Sequence, residues 1–317
     1  MLELLISLIL GVLTGVFKIL PKKLEDIAIK SSLVGVVVLI GSMGAKIGFD
    51  PNLMKNLALF GWQALVLAIA AVIGSVALVW WLERFAAKSS AGVEDEQQER
   101  ELAQMVHLDE AARQKVSYTL TYLILASLMV GIGAGYWFIP PQAGDFLTLI
   151  TNWALYITLC AVGIDLGRSR ETLQKVLAMG WKVLLAPLGV AIGSIAGSAL
   201  AGMMLSLPLN ESAAVGAGFG WYSLSGVLLS QIYSVKTGTV AFLSNVLREL
   251  IAVITIPFLA KRVGPLAAVA PGGATTMDTT LPLVAAAAGN HTAIIGFVSG
   301  LCLSTMVPFL VPILIRL

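Results

Sequence analysis

Long apolar stretches separated by short polar segments dominate the chain, and eight of them are long enough to cross a membrane as helices. They fall near 4–20, 33–49, 60–82, 116–139, 146–166, 178–205, 238–260 and 291–315. These runs are helix-length, unlike the short alternating segments of an outer-membrane barrel. The pattern therefore predicts an all-α, polytopic integral membrane protein.

Two segments within this pattern have a composition that does not suit a lipid-facing helix. Gly216–Gly226 reads G-A-G-F-G-W-Y-S-L-S-G, and Pro271–Pro282 reads P-G-G-A-T-T-M-D-T-T-L-P. Glycine lowers helix stability, and serine, threonine, tryptophan and tyrosine carry polar groups that need partners in lipid. We therefore predict two re-entrant or broken-helix segments that line a cavity, as at the substrate sites of many secondary transporters.

Short sequences on the two sides of a charged segment resemble each other, which indicates an internal repeat. The matched pairs are 11–21 with 131–141, 43–50 with 162–169, and Gly74-Ser75 with Gly193-Ser194. Each copy holds three apolar stretches, and an odd number inverts the second copy in the bilayer. The predicted organisation is a first three-helix unit at 1–82, a charged cytoplasmic linker at 83–115, an inverted three-helix unit at 116–206 and a transport core at 207–317.

Composition supports the membrane assignment. The chain is 58% hydrophobic and 12% charged, with a mean hydropathy of +0.91, whereas soluble domains carry about 25% charged residues. The net charge of +2 is no indication of nucleic-acid binding, and the expected partner is the lipid bilayer. Cys160 and Cys302 stand apart in apolar stretches, so we expect packing residues there and neither a metal site nor a cofactor.

Lysine and arginine concentrate in alternate loops, which predicts the orientation. With the N-terminus outside and two re-entrant segments, 15 of these residues fall on the inner face and 4 on the outer, with Arg248 in the membrane. This arrangement has eight full spans and both termini outside. It places Lys261 and Arg262 inside.

Few ionisable residues lie at membrane depth, where a charge costs about 2.5–3.5 kcal/mol or more. Arg248, Glu249 and Asp278 are placed there, and Asp50 and Asp165 lie at helix ends. In a structural interpretation Arg248 pairs with Asp278 or Asp165. In a functional one, Glu249 and Asp278 face a water-filled cavity and hold a cation or a proton. Asp50 and Asp165 have the further alternative of simple helix caps.

The two broken segments offer groups that suit a small zwitterion. Helix N-termini present backbone N–H groups to a carboxylate, and the rings of Trp221 and Tyr222 present π faces to a cation, unless they belong to an interfacial aromatic belt. Hydroxyl groups add neutral hydrogen bonds. The candidate residues are Gly218, Gly220, Trp221, Tyr222, Ser223, Ser225, Gly272, Gly273, Thr275, Thr276 and Thr279.

Three motifs give the chain a family resemblance. G-F-G-W-Y-S-L-S-G at 218–226, R-E-L-I-A at 248–252 and G-A-T-T-M-D-T-T-L-P at 273–282 resemble the LysO-type lysine exporter family of the bacterial inner membrane. The resemblance implies export of L-lysine and of toxic analogues such as thialysine, by proton antiport through acids within the membrane. By motif, it implies coupling roles for Glu249 and Asp50.

Two alternatives stay open. A carrier of the same architecture could move another small solute, such as a carboxylate taken up with Na⁺, because the carbonyls and hydroxyls of 271–280 also suit that ion. An intramembrane serine protease is the remote alternative, with Ser225 of S-L-S-G as nucleophile and His291 as base. His291 lies at a helix boundary and the inverted repeat is foreign to rhomboid proteases, so we expect a transporter and not an enzyme.

Overall fold

The computed structural model describes residues 2–18, 21–87, 110–139, 144–168 and 181–317, and these ranges contain helices and turns without strands. The helices are α1 Leu2–Val16, α2 Lys22–Phe49, α3 Pro51–Lys55, α4 Leu57–Ala87, α5 Glu110–Trp137, α6 Gly144–Arg168, α7 Leu185–Met204, α8 Leu209–Gly216, α9 Tyr222–Ile232, α10 Val235–Arg262, α11 Leu281–Ala288 and α12 Asn290–Leu314. Turns of 3-10 helix occur at Trp181–Leu184, Leu266–Ala268 and Gly273–Met277.

Eight long helices in the described ranges overlap the eight predicted apolar stretches. Five of them are long and apolar enough to cross a membrane: Leu57–Arg84, Phe146–Asp165, Leu185–Met204, Val235–Arg262 and His291–Leu314. The others contain shorter apolar segments, at Ile6–Val16, Val34–Phe49 and Tyr122–Trp137. A helical membrane protein is thereby confirmed. The number of full spans stays a prediction.

The predicted charged linker at 83–115 is described only at its ends. Glu83–Ala87 continues α4, and α5 begins at Glu110. Residues 88–109 lie outside the described ranges, as do residues 169–180, which include the beginning of the sixth apolar stretch.

The described residues divide into two compact units. The first contains the described parts of Met1–Phe60, Leu120–Ala178 and Val227–Thr239. The second contains those of Gly61–Thr119, Met179–Gly226 and Val240–Leu317. Each unit draws helices from both sides of the linker, so the division at 1–82, 116–206 and 207–317 stays a prediction about repeats.

Glycines hold the helices of the first unit close together. A Cβ built on Gly11 of α1 would lie 2.2 Å from the carbonyl oxygen of Cys160 in α6, and one on Gly131 of α5 would lie 2.1 Å from that of Gly41 in α2. Small residues allow such backbone contact between membrane helices. The other contacts of this kind pair Gly15 with Ile164, Gly135 with Ala45, Gly163 with Leu8, Gly44 with Leu128, Gly167 with Val12 and Gly48 with Ile132. Each of these contacts between α1 and α6 therefore has a counterpart between α5 and α2, at residues that the sequence repeat aligns with each other.

A reciprocal glycine contact joins two helices of the second unit. A Cβ on Gly74 of α4 would lie 2.2 Å from the carbonyl oxygen of Gly193 in α7, and one on Gly193 would lie 2.3 Å from that of Gly74. These two glycines are also matched positions of the sequence repeat. In the same unit, Gly300 of α12 allows close contact with the 3-10 turn, because a Cβ there would lie 2.5 Å from the amide nitrogen of Met277.

We expect Gly74→Ala to destabilise the protein by about 1–3 kcal/mol, because the added methyl group overlaps the backbone of Gly193. Gly61→Ala, in the same helix, is the control: a Cβ there meets nothing within 4 Å, and alanine favours the helix. Thermal unfolding in detergent should give a lower Tm for Gly74→Ala and an equal or higher Tm for Gly61→Ala. Equal effects of the two variants would show that the α4–α7 contact does not determine stability.

Candidate functional site

Both predicted helix interruptions are confirmed. In the first break, residues 217–221, the helix stops at the end of α8 and resumes at Tyr222. In the second break, residues 269–280, turns flank the 3-10 helix that precedes α11. Phe219, Gly220 and Gly273 have φ angles of 49°, 95° and 61°, which is the left-handed region that side chains disfavour. Phe219 is fully buried, so this irregular backbone is enclosed by protein. Non-helical backbone at membrane depth must be shielded from lipid in this way, because lipid offers no hydrogen-bond partners.

The two breaks are in direct contact. The amide of Ala274 donates to the carbonyl of Phe219 at 2.8 Å. A Cβ on Gly273 would lie 2.3 Å from the same carbonyl oxygen, and one on Gly220 would lie 3.0 Å from the carbonyl oxygen of Gly272. These glycines are therefore needed both for their backbone angles and for the close approach of the two segments.

Asn245 of α10 holds the first break and was not among the predicted site residues. Its Oδ1 accepts from the amide of Gly220 at 2.6 Å, and its Nδ2 lies 2.9–3.3 Å from the carbonyls of Ala241 and Val215 and the hydroxyl of Ser225. The only sequence signal for this role is an asparagine one helical turn before the R-E-L motif. A Cβ on Gly218 would lie 2.4 Å from Nδ2, so this glycine makes room for the amide.

The hydroxyl of Ser225 is engaged in the same structure. It donates to the carbonyl of Trp221 at 2.8 Å and accepts from Asn245. These bonds lock the start of α9 and give the hydroxyl a structural role, which counts against its use as a protease nucleophile. His291, the proposed base, is exposed in the first turn of α12.

Arg248 is 1% exposed and ties three elements to α10. Nε and Nη2 donate to the carbonyls of Pro271 at 2.9 Å and Ala270 at 3.1 Å. Nη1 donates to the Ser194 hydroxyl at 2.6 Å, and Nη2 to that of Ser75 at 3.2 Å. None of these four bonds goes to a carboxylate, so they do not support the predicted pairing with Asp278 or Asp165. The two serines are matched positions of the sequence repeat.

Glu249 and Asp278 come together beside the second break. Glu249 is 7% exposed, forms a hydrogen bond with the side chain of Thr279 and interacts electrostatically with Asp278. Asp278 is exposed, and its Oδ1 accepts from the amide of Thr279 at 2.5 Å and lies 3.3 Å from the Thr279 hydroxyl. Because a threonine hydroxyl has one proton to donate, it can serve only one of two ionised carboxylates.

The remaining candidates in the two breaks have mainly structural contacts. The ring of Tyr222 packs edge-on against that of Phe242, with centroids 5.6 Å apart. Thr275 donates to the carbonyl of Gly272 at 2.9 Å, and Thr276 donates to that of Gly273. Both bonds lie within the second break, so these hydroxyls support its backbone. Trp221 is partly exposed and Ser223 is buried.

Asp50 and Asp165 belong to the first unit. Oδ1 of Asp50 accepts from the amides of Asn52 at 2.8 Å and Leu53 at 3.3 Å, so its carboxylate caps α3, as the simpler alternative predicted. Asp165 is exposed on α6. A coupling role for either residue stays a prediction.

A family model covers the part of the chain that contains this site. The family model for the lysine exporter LysO matches residues 125–315. The chain belongs to this family. The matched region contains both breaks, Arg248, Glu249 and Asp278, and the family is one of membrane transport proteins and not of enzymes.

Two curated relatives extend the comparison. Lysine exporter LysO of Escherichia coli (strain K12) is 29% identical over 87% of this chain and 86% of that protein. A putative lysine exporter of Haemophilus influenzae (strain ATCC 51907 / DSM 11121 / KW20 / Rd) is 27% identical over 59% of this chain and 94% of its own length. No solved structure matches the chain significantly.

We expect Arg248→Lys to destabilise the protein by about 3 kcal/mol or more, because an ammonium group cannot reproduce the planar guanidinium that reaches four acceptors. The substitution would therefore leave buried oxygens without a hydrogen-bond donor. Arg316→Lys, at the exposed end of the chain, is the matched control. Thermal unfolding in detergent should separate the two variants clearly. An unchanged Tm for Arg248→Lys would mean that one ammonium group satisfies the site and that the four bonds are not needed.

Proposed function

We propose that the protein exports L-lysine, and analogues such as thialysine, by proton antiport across the bacterial inner membrane. One observation carries the proposal: two carboxylates, Glu249 and Asp278, share one threonine hydroxyl beside two contacting helix breaks. Acidic side chains at membrane depth in a transporter are typically substrate or proton sites. The names of both curated relatives support lysine as the substrate.

The chemistry of lysine suits this arrangement. Lysine carries two ammonium groups and one carboxylate, so two acids balance its ammonium charges. The first turn of α9, which begins at Tyr222, suits the substrate carboxylate, because a helix N-terminus presents amides that have no acceptor in their own helix. Two of these amides, those of Tyr222 and Ser225, bond to the carbonyls of Gly220 and Trp221, so the amides of Ser223 and Leu224 would hold the carboxylate. In this proposal the carboxylate lies at the first break, and the ammonium groups lie at the second break beside the two acids.

The shared hydroxyl explains why a proton can replace the substrate. When Glu249 is protonated, its carboxyl group donates to the Thr279 hydroxyl, which in turn donates to Asp278, so each donor has an acceptor. When the proton leaves, one hydroxyl faces two carboxylates and a donor is missing. An ammonium group of lysine supplies that donor. Proton and lysine therefore compete for the same pair of acids.

Alternating access follows from the inverted repeat in this proposal. The support is that the α1–α6 glycine contacts recur between α5 and α2, and that Gly74 and Gly193 contact each other reciprocally. Transporters with such repeats move one part against another around a fixed site between broken helices. The orientation has both termini outside.

We expect Glu249→Gln to abolish lysine export driven by a pH gradient in proteoliposomes, while expression and folding persist, because the amide cannot exchange a proton. Glu211→Gln, in α8, is the acidic control and should export like the parent.

Thr279→Val keeps both carboxylates and removes the hydroxyl between them. In this variant pH-driven export should fall more than lysine counterflow, because only pH-driven export requires the proton relay.

Normal pH-driven export by Glu249→Gln would exclude the carboxylate as the coupling group. Export that follows a Na⁺ gradient and ignores the pH gradient would favour the alternative of a Na⁺-coupled carrier. That alternative draws some support from Thr280, whose hydroxyl oxygen is buried and has no hydrogen-bond partner.

The orientation has its own test. A cysteine at Lys261 or Arg262 should resist a membrane-impermeant thiol reagent in intact cells, because the lysine and arginine distribution places the end of α10 inside. A cysteine at Lys55 should react, since the same model places it outside. Labelling at 261 in intact cells, with cells shown to be sealed, would contradict the eight-span topology.

A further inference from the structure

An open groove runs between α4 and α10 in the second unit, away from the two carboxylates. It encloses about 350 Å³, and its walls are apolar side chains that include Val72, Val76 and Trp80 of α4 and Phe258 of α10. Thr255 brings the only side-chain oxygen in the wall, and that hydroxyl already donates to the carbonyl of Ile251 at 2.7 Å. The wall of the groove is therefore almost entirely apolar and offers little to a water-soluble ligand. A hydrocarbon chain suits it.

The groove opens outward among exposed apolar side chains. Ile73 in its wall is 62% exposed and Phe258 is 54% exposed. Both belong to helices long and apolar enough to cross a membrane. Such side chains face lipid in a membrane protein, so acyl chains of the bilayer can enter the groove directly.

One end of the groove is basic. The guanidinium of Arg84 lies over the ring of Trp80, 4.2 Å from its centroid, and that of Arg262 lies over the ring of Phe258 at 4.8 Å. Both rings line the groove. Stacking on a ring fixes the plane of a guanidinium and leaves its N–H edge directed outward, where it can bind a phosphate. Lys261, which is exposed, adds a third positive charge in the last turn of α10.

Glu83, an acid at this end, is already engaged. It accepts a hydrogen bond from the backbone of Leu266, and a Cβ on Gly264 would lie 3.2 Å from its Oε2. Among the described residues at this end, three cationic side chains accompany this bonded carboxylate. Their net positive charge matches an anion at the membrane interface.

We propose that this groove binds one anionic phospholipid, with an acyl chain between α4 and α10 and its phosphate held by Arg84 and Arg262. The apolar wall suits the acyl chain of the lipid, and the two ring-stacked arginines suit its anionic headgroup. The same two helices are joined by the bond from Arg248 to Ser75, so the lipid would brace the helix that carries Glu249.

The test is native mass spectrometry of the full-length protein in detergent, with added dioleoyl phosphatidylglycerol or dioleoyl phosphatidylcholine. The wild type should retain the anionic lipid and release the zwitterionic one. The double variant Arg84→Gln/Arg262→Gln should bind the anionic lipid about thirtyfold more weakly, at the usual contribution of a basic residue near an anionic surface. The control double variant Lys236→Gln/Arg316→Gln should bind it like the wild type.

A second variant keeps the proposal testable if loss of both arginines prevents folding. Val76→Trp fills the groove and leaves the arginines in place, so it should also lose the lipid. Equal retention of the two lipids by the wild type would overturn the proposal, as would undiminished binding by either variant. Competition by glycerol phosphate as strong as that by the intact lipid would also overturn it, because a free anion would then suffice.

Discussion

The buried guanidinium of Arg248 is the contact on which the candidate site depends. Lipid supplies no hydrogen-bond partners, so each of its donors must find an acceptor within the protein. Two acceptors are carbonyls of Ala270 and Pro271 in the second break, and two are the hydroxyls of Ser75 and Ser194. These bonds connect α4, α7 and α10 to a stretch of backbone that has no regular helix to hold it.

Adjacent residues of one helix then have different tasks. Side chains at consecutive positions diverge by about 100° around a helix axis. Arg248 points to the carbonyls of residues 270 and 271, and Glu249 points to Thr279, at the far end of the same break. A permanent charge thus fixes one end of the break, while an acid that can gain or lose a proton lies at the other.

The sequence revealed the breaks because their composition contradicts a lipid-facing helix, and it revealed Glu249 and Asp278 because charge at membrane depth is costly. The partners of Arg248 could not be predicted in the same way, since Ser194 and Ser75 lie 54 and 173 residues away in the chain. Asn245 carried no signal beyond its residue type and its place one helical turn before the R-E-L motif, although its side chain accepts a hydrogen bond from the amide of Gly220. The repeat matched Ser75 with Ser194 without indicating that both face one guanidinium.

The charges of these three side chains show why a proton and lysine can alternate in the proposed mechanism. With both acids ionised, Arg248, Glu249 and Asp278 together carry one net negative charge. One proton on Glu249 removes it, and so does one bound lysine, whose net charge is +1. An unloaded and deprotonated site would leave a net negative charge beside Glu249, whose carboxylate is buried at 7% exposure, and that state is costly. The charge of Arg248 therefore makes both the protonated site and the lysine-bound site neutral. It also disfavours the empty, deprotonated site, so the protein would change conformation only with a proton or lysine bound.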